Sequence, residues 1–173
     1  MNIQLPEHIN PKAKTAVYID AANMFYSQKT INFRINYEKL YTFFDSTFNI
    51  RTISYYTGYD PKNKNQLKFL AKLEIFGYRV ISKPVKQINS KDKRIDKANV
   101  DVELAIDTIL EHDSYKNFII ASGDSDFGYL LQVLKQKKKD IIVLSARGHI
   151  SKELRQLSDL FIPIEKLRSK ISV

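Results

Sequence analysis

A chain of 173 residues, 43% hydrophobic and 12% aromatic, is long enough to bury one sizeable core and reads as a single domain. It contains no cysteine, which excludes disulfide staples and thiolate metal sites, and no apolar stretch has the length of a membrane span or a secretory h-region. With 28 Lys and Arg against 19 Asp and Glu, the net charge of +9 suits a polyanionic partner such as nucleic acid, and a soluble, cytoplasmic protein is expected.

Residues 1–14 hold two prolines and no hydrophobic period, so they read as a flexible or loosely docked arm, with an ordered domain over 15–165 and a short tail over 166–173. Ala16 to Ile19 form an apolar run suited to a strand buried on both faces, with Asp20 at its carboxyl end. Tyr37, Leu40, Tyr41 and Phe44 fall at helical spacing, and the β-branched and aromatic stretch RTISYYTGYD after them predicts a strand closed by Gly58 and Asp60-Pro61. A second helix buries Leu67, Leu70, Ala71 and Leu73 and stops at Gly77, before a strand over Tyr78 to Ser82.

The basic segment KPVKQINSKDKRIDKAN lacks periodicity and reads as an extended excursion or loop. From Val100, the residues Val102, Ala105, Ile106, Ile109 and Leu110 make a wide apolar helix face. A strand over Asn117–Ala121, a helix carrying Phe127, Leu130, Leu131 and Leu134, the strand DIIVLSA, a short helix in SKELRQLSDL and an extended FIPI complete the chain. The alternation of strand and helix predicts an α/β fold, a mainly parallel sheet between two helix layers, with its binding crevice at the carboxyl ends of the strands.

That edge is where acids gather. Asp20 follows the first strand and Asp124 and Asp126 follow a later one, while Asp101 opens the helix in KANVDVELAIDTIL. Carboxylates brought together repel one another unless a cation joins them, and an oxygen-only set favours Mg²⁺ or Mn²⁺ over zinc. The competing reading is structural: Asp20 and Asp124 are also suited to cap the helical turns next to them, with Gly123 in a tight turn. Asp101 and Asp107 lie about 120 degrees apart around a helix, so only one can face a given ion, and Asp101 is the choice.

The phrases AVYIDAANMFY, KANVDVELAIDTI and FIIASGDSDFGYLLQVLKQKKKDIIVLSA, in that order, resemble the NYN domain family, LabA-like relatives of the PIN-domain ribonucleases. The resemblance runs from about Thr15 to Ile164 and implies a PIN-like α/β/α sandwich that cuts RNA, with single strands the expected substrate, by attack of water on phosphorus at a Mg²⁺ or Mn²⁺ site. It places the catalytic and metal-holding acids at Asp20, Asp101, Asp124 and Asp126, with Asn23 as a polar partner. Ala98 departs from the pattern, since relatives commonly carry glycine there.

Asn23 and Ser122 are candidates to hydrogen-bond carboxylates or phosphate, and Lys97, with Lys93 and Arg94, to neutralise phosphate charge in a basic flank that also holds Lys83, Lys86 and Lys91. Phe25, Tyr26 and Tyr129 are available to stack on unpaired bases, with core packing the competing role for Phe25. RNA is the expected partner, other nucleic acid and self-association are left open, and no membrane is involved. The alternative function is a non-catalytic nucleic-acid-binding or adaptor domain on the same fold.

Overall fold

The computed structural model describes residues 3–90 and 93–173, and for 86–90 and 93–97 the course of the backbone. The first half runs β1 (Lys14–Asp20), α1 (Ala21–Thr30), α2 (Tyr37–Thr47), β2 (Asn49–Tyr59), α3 (Lys64–Ile75) and β3 (Arg79–Pro84). A hairpin of β4 (Lys86–Ser90) and β5 (Lys93–Lys97) then leads into α4 (Asp101–Leu110) and β6 (Asn117–Ala121). The rest is α5 (Gly128–Gln136), β7 (Asp140–Ser145), α6 (Lys152–Leu157), β8 (Leu160–Pro163) and α7 (Arg168–Ile171).

The main sheet has 6 strands in the order β3-β2-β1-β6-β7-β8, and every neighbouring pair is parallel. The chain therefore forms the expected α/β/α sandwich. Alternation along β1 sends Val17 and Ile19 into one core with Met24, Leu40, Phe44 and Leu73, and Ala16 and Tyr18 into the other with Leu104, Leu131, Leu134 and Leu154. Helices α1, α2, α3 and α7 cover the first face; α4, α5 and α6 cover the second.

Of the two readings of the N-terminal arm, docking is the one its described residues follow: Ile9 is only 2% exposed, Ile3 and Leu5 pack on the first core, and Asn10 O accepts from Asn117 Nδ2 at 2.9 Å. Other expectations are corrected. The C-terminal residues are also part of the fold, because Leu167 and Ile171 are buried and α7 packs on α2. On α3, Leu67 and Ala71 are exposed, leaving Leu70 and Leu73 as the buried pair. The basic excursion forms the β4–β5 hairpin.

The inward face of α4 differs most from expectation. Leu104 and Thr108 are buried, whereas Val102, Ile106 and Leu110 are exposed. The side facing the sheet also carries acids: the Tyr18 hydroxyl donates to Glu111 Oε2 at 2.7 Å and the Tyr56 hydroxyl to Asp107 Oδ2 at 2.9 Å. Arg79 reaches across from β3 to pair with both carboxylates. Burial, reinforced by these acceptors, pushes both tyrosine hydroxyls well above their ordinary pKa, so they act as donors throughout the physiological range. This polar clamp outweighs the more apolar side in setting the rotation of the helix.

Candidate active site

From the central pair β1 and β6 the sheet grows outward in opposite directions, so the carboxyl ends of these two strands flank the point where strand order reverses. Their register sets Ile19 opposite Ala121. Asp20 and the turn Ser122-Gly123-Asp124 therefore emerge side by side.

Asp20 is 4% exposed, and its lone pairs are mostly used. Oδ1 accepts from the Asn23 backbone N–H at 3.1 Å, capping α1, and Oδ2 accepts from the Ser122 hydroxyl at 2.9 Å. The same Ser122 oxygen accepts from the Asp124 N–H at 3.2 Å, while Asn23 Oδ1 accepts from Gly123 N–H at 3.0 Å. Asn23 and Ser122 thus tie the two strand ends together. Asp124 Oδ1 accepts from the Asp126 N–H at 3.0 Å and caps the 3₁₀ turn Ser125–Phe127. Capping and convergence are served by the same side chains.

Asp101 reaches this edge from the start of α4, where its N–H donates to Asn99 Oδ1 at 2.8 Å. Burial raises its pKa first, then the charges of Asp20 and Asp124, with a smaller contribution from Asp126. The carboxyl of Asp20 is likewise raised by burial; the Asn23 and Ser122 hydrogen bonds oppose this and the charge of Asp124 adds to it. The negative charges of Asp20, Asp124 and Asp126 thus all act on Asp101. Among the described residues none of them makes an ion pair, and no three carboxylates or imidazoles stand together as a ready-made ligand group.

This donor set suits a hard divalent ion, which would relieve the mutual repulsion, and carboxylates standing apart suit Mg²⁺, which keeps several waters of its own. Asp107 serves the clamp with Arg79 and Tyr56. Lys83 pairs with Glu103 and reaches Asn99 O at 3.4 Å, steadying the start of α4. The side chains of Lys86, Lys91, Lys93, Arg94 and Lys97 lie outside the described residues. Phe25, Tyr26 and Tyr129 are exposed, so the core role considered for Phe25 does not hold.

Two glycines matter here in ways the sequence conceals. A Cβ on Gly123 would stand 1.8 Å from the carbonyl oxygen of His149, and nothing in ARGHI announces that approach. A Cβ on Gly58 would stand 2.6 Å from that of Ala98. Positive φ among described non-glycine residues occurs at Asn32 and Lys138, so alanine at 98 is unstrained, and bare Gly58 supplies the room for its methyl group. Gly58→Ala should therefore displace the segment leading to Asp101 at a cost of about 1–3 kcal/mol, as overpacking does. Thermal melts should register the loss, and the double variant with Ala98→Gly should recover most of it.

The NYN domain model matches residues 14–165. The chain belongs to the NYN domain family. It is 30% identical over 165 residues to low amplitude and bright protein LabA of Synechococcus elongatus, covering 92% of this chain and 88% of that one. Its fold matches the crystal structure of a protein of unknown function from Vibrio parahaemolyticus, with a TM-score of 0.77, 22% identity and coverage of 91% of this chain and 96% of that one. NYN domains are related to PIN nucleases, a kinship that points to nucleic acid as the class of partner. Among the described residues no helix is long and apolar enough to cross a membrane.

Proposed function

We propose that this NYN domain is a Mg²⁺- or Mn²⁺-dependent endoribonuclease that hydrolyses phosphodiester bonds of single-stranded RNA. The observation that carries the reading is the seating of Asp20 and Asp124 side by side on the Ser122 hydroxyl at the point of strand-order reversal, with Asp126 in the adjoining turn and Asp101 opening α4. Asp20, Asp101 and Asp124 would hold the ion directly or through water. When bound, the ion supplies a water of lowered pKa and a positive charge against the scissile phosphate.

The chain's own part is to fix this geometry. Asn23 and Ser122 hold Asp20 and the Asp124 turn in register. Asp126, the most open of the four, would orient a water of the ion or help recruit a second ion with the substrate. Lys97 and its basic neighbours would neutralise phosphate charge along the substrate.

Two measurements test this reading. Purified protein should cut labelled single-stranded RNA with Mn²⁺ or Mg²⁺ and cease on addition of EDTA; binding without cleavage under every ion would favour the adaptor alternative. Independently, Mn²⁺ at a hundredfold excess over its Kd should stabilise the fold by about 2.7 kcal/mol, and so raise the Tm by ~5–10 °C in a domain of this size. An unmoved Tm would count against the metal site itself.

A further inference from the structure

Helix α1 starts directly after Asp20, and that carboxylate caps it. Its inward side is supplied by Ala21, Met24 and Ser27. The outward side presents two adjacent large aromatics: Phe25 is 56% exposed and Tyr26 58%. The rings meet edge to face at 5.7 Å and 72°, so a ring face is left uncovered by the pair. Lys29 Nζ stands over both, 4.8 Å from the Phe25 centroid and 5.0 Å from that of Tyr26. Phe25 and Lys29 continue into a shallow groove with Gln28 and Arg34, and neither cation makes an ion pair among the described residues.

We propose that this face is a stacking platform for one unpaired nucleotide of an RNA strand whose neighbouring phosphodiester lies in the acidic crevice. The inference rests on the nuclease reading for its substrate class. At 1.5 Å of rise per residue, the aromatics lie ~8 Å along the helix from Asp20, about the reach of a single nucleotide. The chemistry matches a single strand on two counts. A base offers a π face to the exposed ring whatever its sequence, and Lys29 and Arg34 offer positive charge to the phosphates on either side. A duplex has its bases stacked on one another and gives the rings nothing to meet. A protein partner would find an apolar patch crowned by unpaired positive charge, which is the less complementary match. The net charge of +9 favours the polyanion in the same direction.

The test is equilibrium binding of a fluorescein-labelled 12-nucleotide single-stranded RNA to the full chain in EDTA, by anisotropy, so that no cleavage intervenes. The combined Phe25→Ala and Tyr26→Ala variant should bind about ten- to thirtyfold more weakly than the unmodified chain. Phe25→Tyr combined with Tyr26→Phe, which keeps two rings, should bind as the unmodified chain does. Lys29→Ala should flatten the dependence of log K on log salt by ~0.7, a change the aromatic variant should not produce. An RNA carrying abasic sites throughout should bind the unmodified and aromatic-deleted chains equally.

Equal binding of the intact RNA by both chains would overturn the platform, as would an oligomer on gel filtration that the aromatic deletion dissociates. Failure of the platform is separable from failure of the nuclease. Cleavage with no loss of binding in the aromatic variant rejects the platform alone. Aromatic-dependent binding in a chain that no divalent ion renders active supports the platform and rejects the nuclease.

Discussion

Asp124→Asn should lower divalent-dependent RNA cleavage by about a thousandfold, or ~4 kcal/mol of transition-state stabilisation at about 1.4 kcal/mol per tenfold. The substitution keeps an oxygen to accept from the Asp126 N–H, so the 3₁₀ turn retains its cap, and the Asp124 N–H still reaches Ser122. Only one negative charge is removed from the acidic edge. The same deletion should leave the metal-free fold at least as stable as before, because Asp20 and Asp101 then lose a repelling neighbour.

The pH dependence has a definite sign. Both carboxyls have pKa values raised above the ordinary 3.8, so in that interval the folded chain binds more protons than the unfolded one. Their contribution to stability is fully present below 3.8 and is lost as pH rises through the raised values. Denaturant titrations in EDTA at stepped pH should show this fall, and Asp124→Asn should make it smaller. A cleavage loss accompanied by a comparable loss of metal-free stability would instead assign Asp124 a purely structural role.

Gly123→Ala should be the most destructive single-atom addition on the acidic edge. The new methyl group would lie 1.8 Å from His149 O and 2.6 Å from Ser145 Oγ, and the first of these is backbone, which no rotamer change relieves. The Gly123 carbonyl also accepts from the Ser151 N–H at 2.9 Å, so moving the turn breaks the bond that joins it to the start of α6. A cost on the order of 3 kcal/mol or more is expected, from overpacking together with a broken hydrogen bond. Chemical denaturation should reveal it as a lowered midpoint, and residual folded protein should lose the Mn²⁺-induced thermal shift. A variant as stable as the unmodified chain would show that the loop after β7 yields more readily than its contacts suggest.

The strands that seat the acids are legible in the sequence because their physics is local. Ala16–Ile19 and Phe118–Ala121 are apolar on both faces, as the central strands of a parallel sheet must be, and each run stops at the residue where polarity begins. Helix α5 is legible for a similar reason, since Phe127, Leu130, Leu131 and Leu134 are all buried in the order their spacing implies. Helix α1 offers no such stripe: Met24 faces inward, but Phe25 and Tyr26 next to it face outward, so the pattern matches no single period. The rotation of α4 is hidden because its inward acids find their partners on distant strands, hydrogen bonds from Tyr18 and Tyr56 and the charge of Arg79. Docking of Ile9 and Ile171 is hidden because single apolar residues in short segments carry no periodic signal. Asp20 is open to two readings, cap or member of an acidic group, and its two oxygens serve a cap and a cross-strand hydroxyl respectively.

The bond between Gly123 and Ser151 has a consequence for the order in which the molecule becomes complete. Every acid of the group has been joined to the nascent chain once Asp126 is added, yet the turn that aims Asp124 gains its outer brace only from residues near His149 and Ser151. A nascent or prematurely terminated chain lacking that brace carries all the carboxylates without the seat that orders them. Biosynthesis therefore delays completion of the acidic edge until the segment around Ser151 has been added.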